Sequence, residues 1–295
     1  MGYLFLSASL FCGGVKGYCG KKMSGYVRNV QSAVMLNLIR ALLCTFISVC
    51  LVILTGNIRY TSPDTELILI SALSGVATAI MIATWLLSVR KSAYMMLDVF
   101  LMMGTLVPTV MGYFIFSEPI STRQWIGFSV LLIAVLIMCN YNNSIKVKIT
   151  PTALILLILC GLSNGTASLS QKMFVRNFPT LSVSVFNMYT YIFASLTLAL
   201  FFLAIMRKGK VEFDNEGTKG AYIYVFIMAA MLTAHSYFNT LAASYLDSMH
   251  LYPLDRGASL VIATLVATFV FKEKLKLNAV IGIAMAFIAL LIINL

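Results

Sequence analysis

Charge is scarce in this chain of 295 residues: Asp, Glu, Lys and Arg make up 11% of it, against 60% hydrophobic residues and a mean hydropathy of +0.94. A soluble domain carries about 25% charged residues, so this chain could not cover a water-facing surface. Histidine and tryptophan are nearly missing, with 2 of each. No Cys-x-x-Cys, no His-Glu-x-x-His and no P-loop occurs, which removes the usual basis for a metal centre, a cofactor or nucleotide-driven pumping. The 6 cysteines lie in or at the ends of apolar stretches and form no disulfide framework. No run is low in complexity and none is polar enough for a soluble domain.

What is present is a series of apolar runs. Each is about 20 residues long, enough to cross roughly 30 Å of hydrocarbon as a helix. The class is an all-α polytopic membrane protein. Ten spans are expected near residues 2–20, 30–55, 65–89, 93–116, 122–140, 152–172, 180–206, 219–244, 248–271 and 277–295. The first, Gly2 to Cys19, lacks the basic n-region of a signal peptide and is read as a retained helix. The net charge of +11 would suggest nucleic acid in a soluble protein. Here the basic residues sit mostly in short connectors, where lipid headgroups and orientation account for them, and no nucleic-acid partner is expected.

The connector Phe116-Ser-Glu-Pro-Ile-Ser-Thr-Arg-Gln-Trp-Ile-Gly returns at the end of the chain as Phe271-Lys-Glu-Lys-Leu-Lys-Leu-Asn-Ala-Val-Ile-Gly. Phe116 matches Phe271, Glu118 matches Glu273, Ile126 matches Ile281 and Gly127 matches Gly282, all at an offset of 155. Nearer the start of each half the offset is 150, pairing Lys22-Met23 with Lys172-Met173 and Asn37 with Asn187. The extra residues fall most naturally in the connector Arg207 to Gly220. The chain therefore divides into residues 1–143 and 144–295, each a five-helix unit. An odd number of crossings inverts the second unit relative to the first, the plan of many secondary transporters.

Charges repeat the inversion. In the first half the first and third connectors hold Lys21, Lys22, Arg28, Arg90 and Lys91, while the second and fourth hold only Arg59 and Arg123. In the second half connectors six and eight hold Lys172 and Arg176, and the remaining basic residues concentrate in connectors seven and nine.

The doubled Phe-x-Glu connector, the two five-helix halves and the ninth span, Leu251-Tyr-Pro-Leu-Asp-Arg-Gly-Ala-Ser-Leu, resemble the EamA-like permeases of the drug/metabolite transporter superfamily. The resemblance implies eight helices around a central cavity, the last helix of each half at the periphery, both termini in the cytoplasm, and solute movement by alternating access. The charge distribution alone would put both termini outside.

Ionisable and amide side chains inside apolar runs are costly in hydrocarbon, so they are the candidates for a solute path. Lys16, Arg40, Asp98, Asp255 and Arg256 are the charged ones. Arg40 follows Asn37 by three residues, which puts both on one helix face where a guanidinium could hold a carboxylate. The plainer role is a pair with Asp98 or a snorkelling side chain. Asp255 and Arg256, adjacent on a helix, should diverge rather than pair, and Tyr252-Pro253 should loosen the helix start. His235 and Asn239 stand four apart; the histidine is the candidate for proton coupling, with a helix–helix hydrogen bond as the alternative. Asn164, Ser168 and Gln171 form one polar stripe, and Asn187 repeats Asn37. Trp85, Tyr189, Tyr191 and Tyr237 could shape a cavity or simply pack. Glu118 and Glu273 are expected to cap the helix that follows each.

The reading is a secondary permease for a small organic metabolite, amino-acid-like or anionic, exported across the cell membrane by a monomer or homodimer, with no cofactor and no enzymatic site. A lipid flippase on the same scaffold, an intramembrane enzyme and a non-transporting membrane subunit are the alternatives.

Overall fold

A computed structural model describes residues 1–27, 29–60, 64–91, 94–118, 120–144, 151–207, 215–272 and 277–294. Among these the fold is helical throughout, with no strand. The helices are α1 (Gly2–Ser24), α2 (Val30–Leu54), α3 (Thr65–Lys91), α4 (Tyr94–Met103), α5 (Leu106–Phe116), α6 (Thr122–Ser144), α7 (Pro151–Asn177), α8 (Val183–Met206), α9 (Asn215–Ala243), α10 (Ser248–Leu265) and α11 (Leu277–Asn294). Six of them contain stretches long and apolar enough to cross a membrane: Val30–Leu54, Thr65–Ser88, Pro151–Asn177, Val183–Met206, Gly220–Ala243 and Ser248–Val270, the last running on into a π-helical turn. Phe100–Phe116 and Val280–Ile293 are shorter apolar helices. Leu4, Phe11, Phe46, Phe114 and Phe269 are each more than half exposed, side chains that lipid rather than water would solvate.

Local chemistry sets the helix ends. Asn29 caps α2 through a reciprocal box, its Oδ1 accepting from the Ser32 amide at 2.7 Å and the Ser32 Oγ accepting from the Asn29 amide at 3.2 Å. Ser121 and Gln124 form the same device at α6, at 2.8 and 3.3 Å. The start of α6 therefore belongs to Ser121 and Gln124, not to Glu118. Glu273 lies outside the described residues.

The fourth expected span is two helices. Pro108 has no N–H to give the carbonyl of Gly104, so Val107 donates to it instead at 3.1 Å in a tighter turn. Thr105 Oγ1 then closes on the carbonyl of Met102 at 2.7 Å, and the chain restarts at Leu106. The break sits against Gly161 and Gly165 of α7, where a Cβ on Gly104, Gly161 or Gly165 would collide with a backbone carbonyl of the opposite helix. This is a small-xxx-small crossing with backbones in contact. At Pro253, by contrast, α10 runs on unbroken. Its last turn, Val266–Val270, is π-helical, closed by the Phe271 amide on the carbonyl of Val266 at 3.2 Å.

Packing between the two halves is reciprocal. Helix α1 packs on α9 and α7 packs on α3; α2 packs on α8, and α6 on α11. The residue between Phe and Glu of the doubled connector is left-handed in both copies, with φ 55° at Ser117 and 54° at Lys272. They are the only described non-glycine residues at positive φ, and they stand at the offset of 155.

Candidate functional site: a polar cavity between the halves

A cavity with about 100 Å³ of room for water-sized spheres opens among α1, α2, α3, α4, α7, α8, α9 and α10. No described residue of α6 or α11 lines it. Of the candidate residues, Lys16, Arg40, Trp85, Asn164, Gln171, His235, Asn239 and Arg256 reach its wall. They come from six helices and both halves of the chain.

Arg40 stands in the middle of α2 and is 2% exposed. Its Nη1 lies 3.9 Å from Met228 Sδ, a weak contact. Its Nε and Nη2 have no hydrogen-bond partner among the described residues. The expected pairing with Asp98 falls on a side chain outside the described residues.

Arg256 is arranged differently. Its Nη2 donates to Asn164 Oδ1 at 2.8 Å, and its Nε lies 3.4 Å from Asp255 Oδ2. Adjacent Asp255 and Arg256 thus do pair, contrary to expectation. The arginine stem is long enough to fold back along the helix while its far end reaches α7. Asp255 is buried at 1% exposure, and its Oδ1 has no hydrogen-bond partner among the described residues.

His235 binds helix to helix: its Nδ1 lies 2.8 Å from the Ser9 hydroxyl and 3.0 Å from the Ser9 carbonyl, which accepts. Asn239 Nδ2 reaches the same hydroxyl at 3.5 Å. Ser9, fully buried on α1, is the partner that sequence reading missed. Gln171 Nε2 donates to Ser236 Oγ at 3.3 Å, and Ser236 Oγ donates to Asn187 Oδ1 at 3.0 Å. Asn187 supports the wall from behind. Its counterpart Asn37 likewise braces α2 to α3, donating to the carbonyl of Ile82 at 3.1 Å. Tyr189 packs in an apolar cluster around Phe174 and Phe186, away from the cavity wall. Tyr191 lines it and donates its hydroxyl to the carbonyl of Leu232 at 3.2 Å.

The charged groups break the repeat. At the offsets of 150 and 155, Lys16 corresponds to Thr166, Arg40 to Thr190, Asp255 to Phe100 and Arg256 to Leu101. Each of the four charged residues therefore stands opposite an uncharged one, so the sequence repeat does not extend to these charges.

A second buried polar node lies away from the cavity. Lys172, expected in a connector, is inside α7 at 5% exposure. Its Nζ donates to the carbonyl of Leu246 at 2.8 Å and to that of Ala243 at 3.4 Å, and lies 3.4 Å from Glu118 Oε1. Glu118 Oε2 accepts from the Ser248 amide at 3.2 Å, so this carboxylate caps α10.

The sequence Gly161-Leu-Ser-Asn-Gly165 has the Gly-x-Ser-x-Gly spacing of a hydrolase nucleophile. It lies inside α7, with no strand among the described residues, and its glycines are spent on the α4–α5 crossing. Among the described residues there is also no group of His, Cys, Asp and Glu that could hold a metal.

The arrangement is that of a multi-pass helical membrane protein with a polar chamber at its centre. Residues 151–295 match the EamA-like transporter family, which belongs to the drug/metabolite transporter superfamily. A protein of known crystal structure superposes with a TM-score of 0.68 at 11% identity, covering 98% of this chain and 96% of its own, a likeness of fold alone. No curated protein matches the chain.

Proposed function

We propose that the protein is a secondary permease that exports a small organic metabolite, anionic or zwitterionic, across the cell membrane by alternating access. The observation that carries this reading is a polar cavity walled by four helices from each half. In the proposed arrangement residues 1–143 and 144–295 are oppositely oriented five-helix units, ten spans in all, acting as a monomer or homodimer. The reciprocal packing and the matching left-handed residues at Ser117 and Lys272 support that arrangement. Opening to each side in turn exchanges the roles of two equivalent helix sets, and a duplicated scaffold makes the two states similar in energy. A gradient of solute or protons supplies the drive.

The test is uptake of a metabolite mixture by liposomes holding the purified protein, read by mass spectrometry. At least one organic solute is expected to accumulate above protein-free liposomes. Ala167→Trp, which fills the cavity from its wall, should lower that uptake by about tenfold or more while the protein stays monodisperse. No accumulation of any solute in wild-type liposomes would overturn the permease reading.

A further inference from the structure

We infer that the Nε–Nη2 edge of Arg40 is a subsite for a carboxylate, and, resting on the permease reading, that the transported solute carries one. The two nitrogens share one side of the guanidinium plane, and their N–H bonds point the same way, as a two-oxygen acceptor requires. Both lack a partner among the described residues, in a side chain that is 2% exposed and lines the cavity. The remaining nitrogen faces Met228 Sδ, so the open donors are the pair on one edge. A buried cation without compensation is strongly disfavoured, and an anion that binds there removes that cost.

Two further observations narrow the chemistry. Thr190 holds the equivalent place in the second half, so packing of the repeat does not demand an arginine. The wall that Arg40 shares also carries Met81, Ile82, Trp85, Leu232 and Met228, the last in contact with the guanidinium. Such a wall suits the organic body of a monocarboxylate. A phosphate dianion would bring a second charge, while Arg256 on the far helix already has Asp255. Lys16 also lines the chamber and contributes positive potential to it.

Thermal unfolding of the purified full-length protein tests this without a known substrate. Sodium acetate, pyruvate and benzoate are compared with sodium chloride at about 20 mM, with benzamide as the uncharged control and inorganic phosphate as the other oxoanion. At least one carboxylate is expected to raise Tm by about 3 °C or more over chloride, with benzamide and phosphate inert. Arg40→Gln should abolish the shift. Arg40→Lys, which keeps the charge but loses the fork, should reduce it and serves where the glutamine variant does not fold. Without ligand, Arg40→Met should melt about 3 °C or more above wild type, because an uncompensated buried charge has gone. A merely structural arginine gives the reverse.

The inference falls if no carboxylate shifts the wild type, if the shift persists in Arg40→Gln, if phosphate shifts it equally, or if Arg40→Met melts lower. An Arg40-dependent carboxylate shift in a protein that moves no solute would sink the permease reading and leave the subsite standing. Uptake with a carboxylate shift indifferent to Arg40 would do the opposite.

Discussion

Lys172→Met is expected to destabilise the protein by about 3–5 kcal/mol, the cost of removing one partner from a buried charge pair. The size follows from what the ammonium leaves behind. Glu118 is 8% exposed, and its Oε1 would lose the only cation within reach among the described residues. The carbonyls of Ala243 and Leu246, at the turn between α9 and α10, would lose a donor together. Glu118→Gln should cost less, because the amide oxygen can still accept from the Ser248 amide and Lys172 keeps its two carbonyls. The double variant Glu118→Gln, Lys172→Met carries no stranded charge. Its loss should fall short of the sum of the single losses by at least about 1 kcal/mol. At about 2 °C per kcal/mol, detergent melting curves resolve these differences. Strict additivity would show that the two side chains are neighbours without coupling.

This node also shows where sequence reading stops. The pairing of Glu118 with Glu273, and of Lys22 with Lys172, was legible as repetition. Their roles were not, because a hydropathy boundary is good only to a few residues. A shift of that size moved Lys172 from a solvated connector into a buried turn of α7. The left-handed residue in the connector was hidden for a different reason: Ser117 and Lys272 are not glycines, so neither residue type signals positive φ. The cavity was easier. Lys16, Arg40, Asn164, Gln171, His235, Asn239 and Arg256 stand out against apolar helices, and polar groups at that depth gather where a chamber exists. The neighbours on which they depend, such as Ser9 for His235 and Ser236 for Gln171 and Asn187, are ordinary serines that only the packing of α1, α7, α8 and α9 singles out. The split of the fourth span was recoverable in principle from Gly104 and Pro108, four residues apart, since a proline strips the carbonyl four positions back of its donor.

The same split explains the second large effect. Gly165→Leu is expected to leave no folded protein, and Gly165→Ala to cost about 3 kcal/mol or more. At this crossing the obstacle to a side chain is main chain. A Cβ on Gly165 meets the carbonyl of Gly104 and comes within 2.8 Å of Val107 Cβ; one on Gly161 meets the carbonyl of Phe100. Backbone cannot rotate out of the way as a side chain can, so α7 would have to lift from α4 and α5 along its length. Asn164 and Ser168 share that helix and face the chamber, and Asn164 holds Arg256. Lifting the helix therefore disturbs the site as well as the packing. Gly25→Ala is the matched control: its backbone is right-handed at φ −65°, and the added methyl would lie 3.4 Å from the nearest atom, the carbonyl of Lys22. That substitution should change Tm by less than about 2 °C, because a surface change away from special geometry stays within about 0.5 kcal/mol. Size-exclusion profiles should then separate the pair, with Gly165→Leu in the void volume and Gly25→Ala at the wild-type position. A monodisperse Gly165→Leu protein with wild-type melting would mean that the two backbones do not touch, and the account of why the fourth span breaks would fail with it.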